Sequence, residues 1–282
     1  MRRRLLSLTA VGLLCVTTGA TTALGDGGPG PGVVQGWEGV ARGKIRYVAI
    51  STGTDTVLEA IRRRSGRVGR WTIIPGNFGI PQVAYDGTTD GLSADGRTLV
   101  LGDGAVSRQL RKTSSFAVVD TRRFVLRRIV QLKGDFSYDA LSRDARMLYL
   151  VEHVTAQNYN RYRVRAYDLG AQRLLQKVVI DKRSWASVMQ GVPLTRVSTP
   201  DGAWVYTLYG GASHPFVHAL NTSHVNAVCI DLPRSWQRLD IGAMRLRLNR
   251  EGNIVVRHRA GGKPLAILDT ASFRVLSAVR NP

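Results

Sequence analysis

From residue 45 onward, apolar and polar residues alternate in short runs, as in Tyr47-Val-Ala-Ile50, Thr56-Val-Leu-Glu-Ala-Ile61 and Trp71-Thr-Ile-Ile74. The runs end at Gly, Asp, Asn or Ser. A period of two sends successive side chains to opposite faces of a strand, so the pattern predicts many short strands joined by tight turns. No stretch holds a 3.6-residue apolar period over a useful length, and the one candidate for a helical turn is 181–190. The expected class is all-β.

One phrase recurs four times: Gly-Leu-Ser-Ala-Asp-Gly-Arg-Thr-Leu-Val-Leu at 91–101, Ala-Leu-Ser-Arg-Asp-Ala-Arg-Met-Leu-Tyr-Leu at 140–150, Arg-Val-Ser-Thr-Pro-Asp-Gly-Ala-Trp-Val-Tyr at 196–206, and Arg-Leu-Asn-Arg-Glu-Gly-Asn-Ile-Val-Val at 247–256. Its acidic anchors are Asp95, Asp144, Asp201 and Glu251, spaced 49, 57 and 50 residues apart. Each copy closes one strand, turns through residues tolerant of positive φ, and opens the next, which is the form of a β-hairpin. A second phrase follows each copy and ends at Asp120, Asp168, Asn221 or Asp269, where a short side chain caps the backbone N–H groups of a turn. A fourth strand follows every time. Four strands per unit is the count of a propeller blade. The stretch 45–75 reads as a degenerate opening blade whose innermost strand comes from around Val33 and Val34. Residues 45–282 divided among five blades give about 48 each, so five four-stranded blades are expected, with six as the alternative if 75–90 hides a strand pair.

The Ser-x-Asp-Gly-x-x-Leu hairpin paired with a Val-x-Asp-Thr turn resembles the YVTN and WD-type β-propeller repeats of exported bacterial proteins, and the likeness covers most of 45–282. It implies the fold and little about activity, since such propellers include binding scaffolds, lactonases, lyases and glycosidases.

The N-terminus differs from the rest. Arg2, Arg3 and Arg4 precede an apolar run from Leu5 to Val16 and then small residues through Gly25, with no carboxylate before Asp26. This order reads as a signal peptide over 1–25, with an uncleaved membrane anchor as the alternative. Residues 26–44, rich in Gly and Pro, read as a flexible linker, and 45–282 as the propeller domain. The expected location is secreted or extracytoplasmic. Of two cysteines, Cys15 falls in the leader, and Cys229 sits in an alternating strand as a small hydrophobe.

Charge narrows the partners. Forty Lys and Arg against twenty Asp and Glu give +20, or +17 once the three leader arginines are removed. Such a chain attracts polyanions with salt-sensitive affinity. The expected partner is an anionic envelope polymer or another protein, with the chain a monomer. Membrane contact is expected through the leader alone, if it is uncleaved, and no groove-reading motif for specific nucleic acid binding is present.

Candidate ligand-binding residues follow from the ring, whose innermost strands line a channel. Aligning Ser93, Ser142 and Ser198 puts Asp90, Asp139 and Thr195 at one level of its mouth, with Arg196 next. Two long loops on that face carry Arg108, Arg111 and Lys112, and Tyr159, Arg161 and Tyr162; a later one adds His258 and Arg259. A basic rim with aromatic surfaces suits an anionic or sugar-containing ligand. No catalytic set is nominated. The alternative is a hydrolase or lyase in which Asp90 and Asp139 act as acid and base. His214, His218 and His224 lack the carboxylate or cysteine that would complete a metal set, and no cofactor motif is present.

Overall fold

The computed structural model describes residues 32–104, 109–181, 188–210 and 214–279. These residues form five antiparallel sheets, met one after another along the chain save for Val33–Val34, which precedes the first sheet and joins the second. The first comprises Gly39–Arg42, Ile45–Ser51, Asp55–Arg62 and Val68–Pro75 in that spatial order. The second comprises Val33–Val34, Phe78–Pro81, Thr98–Asp103, Thr113–Asp120 and Val125–Lys133. The third runs Asp135–Leu141, Met147–His153, Arg161–Asp168 and Arg173–Leu174, with Met189–Gln190 paired to the start of its third strand. The fourth is Val192–Ser198, Trp204–Gly210, Phe216–Asn221 and Asn226–Asp231. The fifth is Met244–Leu248, Ile254–His258, Ala266–Asp269 and Arg274–Ala278. Two short 3-10 turns, Arg234–Arg238 and Ile241–Ala243, link the last two sheets. They seat Trp236, fully buried, with its indole N–H donating to Val279 O at 2.8 Å.

The repeated phrases act as local hydrogen-bonding devices. Ser93 Oγ donates to Asp95 at 2.7 Å and accepts from Thr98 N–H at 2.9 Å. Ser142 does the same with Asp144 and Met147, and Thr199 with Asp201 and Trp204. In the fifth sheet Asn249 accepts from Asn253 N–H at 2.8 Å. The second phrase caps its turn each time: Asp120 accepts from Arg122 and Arg123 N–H, Asp168 from Gly170 and Ala171, Asn221 from Ser223 and His224, and Asp269 from Ala271 and Ser272. The fourth residue after each of these capping residues has positive φ: Phe124, Gln172, Val225 and Phe273. The capping carboxylate or amide holds there a backbone conformation that bulky residues otherwise avoid.

The structure corrects several expectations. Val33–Val34 pairs with Phe78–Pro81 of the second sheet, while Gly39–Arg42 supplies the inner strand of the first, so strands begin inside the stretch expected to be linker. The stretch 75–90 holds one strand of the second sheet, Phe78–Pro81, followed by a loop closed by the Gln82–Thr89 bridge, and adds no strand pair of its own. The fourth strand of the third sheet shrinks to Arg173–Leu174; beyond it Leu175 and Val179 N–H each bond singly to the neighbouring strand. Of the candidate helical turn at 181–190, residues 182–187 lie outside the described residues and Met189–Gln190 is strand. The expected leader also lies outside them.

Four buried clusters stitch adjacent sheets together: first to second through Leu58, Ile74, Leu99 and Leu101, second to third through Phe116, Phe136 and Leu150, third to fourth through Tyr149, Val164 and Leu220, and fourth to fifth through Leu208, Trp236 and Ile254. None of these four clusters joins the fifth sheet to the first.

Candidate functional site

The anchor hydrogen bonds set the alignment of the inner strands, and they move one assignment. The hydroxyl equivalent to Ser93 and Ser142 is that of Thr199, not Ser198, because Thr199-Pro-Asp-Gly matches Ser93-Ala-Asp-Gly residue for residue. Three residues upstream of each hydroxyl therefore stand Asp90, Asp139 and Arg196. An arginine takes the place of the third carboxylate, and the same count reaches the buried Leu246 in the fifth sheet. The polar cluster thus belongs to sheets two, three and four.

Its core is an ion pair. Arg196 Nη2 donates to Asp139 Oδ1, Nη1 to Asp139 O, and Nε to Thr207 Oγ1 at 2.8 Å. Arg196 and Asp139 are 8% and 2% exposed, and a guanidinium at that depth is tolerated because carboxylate, carbonyl and hydroxyl together satisfy it. Asp90 lies close by. Its carboxylate accepts from Gly91 N–H at 2.7 Å, and Gly91, at φ +108°, has no room for a side chain, since a Cβ would meet Val100 O at 2.4 Å. Burial pushes the Asp90 carboxyl up to about 6 against the pull of Arg196, with the Asp139 charge adding to the rise. His218, buried in the adjacent strand, is pushed down to about 4 by the same loss of water.

Above this cluster opens a narrow cleft of about 30 Å³, walled by Tyr85, Tyr138, Tyr159, Tyr162 and Tyr209 and bordered by Gln82, Ser137, Asp139, His153 and Arg196. The loop 82–90 crosses to the fourth sheet and forms one wall, with Tyr85 and Asp86 N–H donating to Pro193 O and Leu194 O at 2.9 and 3.1 Å. Asp139 Oδ2 and the Tyr159 phenol oxygen are buried with no hydrogen-bond partner, and the buried Tyr162 phenol turns to Tyr209, whose ring stacks on its own at 5.6 Å. Tyr138 Oη faces Asp90 without reaching hydrogen-bond geometry. A second cavity, beside the repeated hairpin turns, is lined by Arg42, Asp90, Leu141, Thr199 and Gly202. Asp139 borders the first cavity and Asp90 the second.

Of the candidate residues, the structure gathers Asp139, Arg196, Tyr159 and Tyr162 around one cleft. Arg111 is turned inward onto Asp135, at 2.8 Å, and Asp103. Lys112, Arg161 and His258 are exposed, and Arg259 reaches back to Asp86 at 3.6 Å. Arg108 lies outside the described residues. The tyrosines at 85, 138 and 209, Gln82 and His153 were missed. They come from one inserted loop and from strand interiors, where an aromatic residue reads as core. Among the described residues no group of three His, Cys, Asp or Glu side chains is placed to hold a metal ion. His214 meets Asp231 at 2.9 Å, and His218 sits opposite Cys229 across the strand pair.

No family model matches the chain, and no curated protein matches it. Solved structures do resemble it. A putative 6-phosphogluconolactonase from Bacteroides uniformis is 11% identical with TM-score 0.47, over 86% of this chain and 68% of that one. The β-propeller domain of Cps50 (Swd1) from Myceliophteria thermophila is 10% identical with TM-score 0.45, over 81% and 66%. The Dos1 propeller is 10% identical with TM-score 0.44, over 80% and 55%. At these identities and TM-scores the likeness assigns this chain neither a family nor an activity.

Proposed function

We propose that the chain is an exported, monomeric, five-bladed propeller that acts by binding rather than catalysis, each of the five sheets forming one blade, and that its cleft takes a neutral, hydroxyl-rich ligand such as a saccharide unit. One observation carries this reading: Asp139, Tyr138, Tyr159 and Tyr162 line a single tyrosine-walled cleft, and each holds a buried oxygen short of full hydrogen-bond geometry, with Tyr138 turned to Asp90 and Tyr162 to Tyr209. Buried polar atoms are normally satisfied, and leaving several unmatched costs stability that bound hydroxyls would restore. Tyrosine faces suit the C–H faces of a sugar ring. The two full charges at the floor of the cleft, Asp139 and Arg196, offset one another, which favours a neutral ligand there over the anionic one expected from composition. The acid and base alternative draws no support from the geometry, because Asp139 is committed to Arg196 and Asp90 borders a different cavity.

The test is a panel of neutral saccharides and polyols in calorimetry against the native chain, Tyr159→Phe and Tyr162→Phe. Each variant should bind about five- to tenfold more weakly, the worth of one hydrogen bond, while its melting temperature stays level or rises. Absence of binding to the whole panel, or variants that lose stability but not affinity, would sink the reading.

A further inference from the structure

The second concentration of chemistry lies on the first sheet, away from the cleft. Its last two strands, Asp55–Arg62 and Val68–Pro75, are joined by a turn whose tip is fixed by Ser65 and Gly66 N–H donating to Arg62 O. Arg62, Arg63, Arg64 and Arg67 on that tip are all exposed. Arg63 donates to Gly43 O at 3.0 Å, and among the described residues no carboxylate pairs with any of the four. Residues 60–85 contain no acidic residue at all.

The same hairpin exposes apolar surface. Trp71 is 64% and Ile73 57% exposed, although the next residue of the strand, Ile74, is fully buried against the second sheet. Alternation along the strand therefore turns Trp71 and Ile73 to the opposite face, away from the rest of the molecule. Trp37, also 64% exposed, stacks beneath the Arg46 guanidinium at 5.9 Å, and Arg46 pairs in register with Ile61, close to the hairpin tip. Glu38, Asp55 and Glu59 are the carboxylates of this region, outnumbered by Lys44, Arg46 and the four tip arginines.

We propose that this face of the first sheet docks on an anionic lipid bilayer. Indole rings are favoured at the boundary between headgroups and acyl chains, where an amphipathic ring has both environments. Ile73 adds apolar area beside it. A cluster of arginines free of counter-charge reads as a site for acidic lipid phosphates, which guanidinium groups grip through paired N–H donors. Neither signal alone suffices for stable adsorption; charge and inserted apolar surface together do. The proposal does not depend on the cleft or its ligand.

The experiment measures co-sedimentation of the full chain with vesicles of mixed phosphatidylglycerol and phosphatidylcholine, against phosphatidylcholine alone. Whatever the apolar N-terminal run contributes is common to every variant. Binding should be at least about tenfold tighter to the acidic vesicles. It should fall by that factor in the triple variant Arg62→Ser, Arg64→Ser, Arg67→Ser, and separately in Trp71→Ser with Ile73→Ser. All five positions are exposed, so these variants fold. As a second readout, the native emission minus that of Trp71→Phe should shift to the blue on acidic vesicles. The proposal is overturned if lipid charge makes no difference, or if the Trp71 and Ile73 variant binds as the native chain does. The latter outcome would mark the arginines as a site for soluble polyanions. It is equally overturned if the native chain sediments as a dimer that this variant dissociates while vesicles fail to bind, since the face would then cover a second copy.

Discussion

The centre of the molecule and the outer face of the first sheet are both built with arginine, and they treat it in opposite ways. At the centre, Arg196 and Arg111 are enclosed, and each is matched: Arg196 by Asp139 and Thr207, Arg111 by Asp103 and Asp135. On the first sheet, Arg62, Arg64 and Arg67 stand in water with no ion pair among the described residues. Burial explains the difference. A guanidinium taken out of water has to recover its lost hydration from fixed acceptors, whereas an exposed one is solvated whether or not a carboxylate is near. Matched arginines therefore hold the sheets together, and unmatched ones leave charge for a partner.

The largest expected effect tests the central half of that contrast. Arg196→Met strands the Asp139 carboxylate in the interior and should cost about 3–5 kcal/mol in urea unfolding. Replacing both partners, Arg196→Met with Asp139→Leu, should recover a good part of it; equal losses in single and double variants would mean the pair is not coupled. Next come two neighbours in one strand. Ile74→Ala should cost about 2–5 kcal/mol, because it empties a site buried between the first and second sheets. Ile73→Ala should stay within about 0.5 kcal/mol, and a comparable loss there would show that the outer face is covered.

A smaller, pH-dependent effect concerns Asp90. Its folded carboxyl titrates at about 6 and its unfolded one at 3.8, so the native state holds the proton longer. Its protonated form is accommodated in full below pH 3.8, and stability is lost as pH rises through 6. Asp90→Asn escapes that loss. Its urea midpoint should match the native one near pH 4 and exceed it above pH 6, by on the order of 2 kcal/mol. His218, held neutral to about 4, pulls the other way in both proteins and cancels in the comparison. A gap that does not change between pH 4 and 7 would count against the buried-carboxyl account.

How far the chain could be read depended on the reach of each interaction. Hairpins, capped turns and the succession of sheets were legible because Ser93 with Asp95, or Asp120 with Arg122 and Arg123, act within a few residues. The same phrases misled by one residue where Ser198 and Thr199 stand side by side. Either hydroxyl fits the pattern, and only the bond from Thr199 to Asp201 decides. That single step moves Arg196 onto the level of Asp90 and Asp139.

The order of apolar and polar residues along the chain was enough to specify strands, turns and an all-β architecture, because alternation and capping are local. Which side chains meet was settled in space. Asp139 and Arg196 lie 57 positions apart and bond because the first strands of the third and fourth sheets come side by side. Arg111 looked like a free cation until the fold brought Asp103 and Asp135 to it. Trp71 alternates along its strand like its neighbours, and only the fold shows that its ring stands 64% exposed. Burial and long-range pairing depend on how whole sheets stack, and no local pattern encodes that.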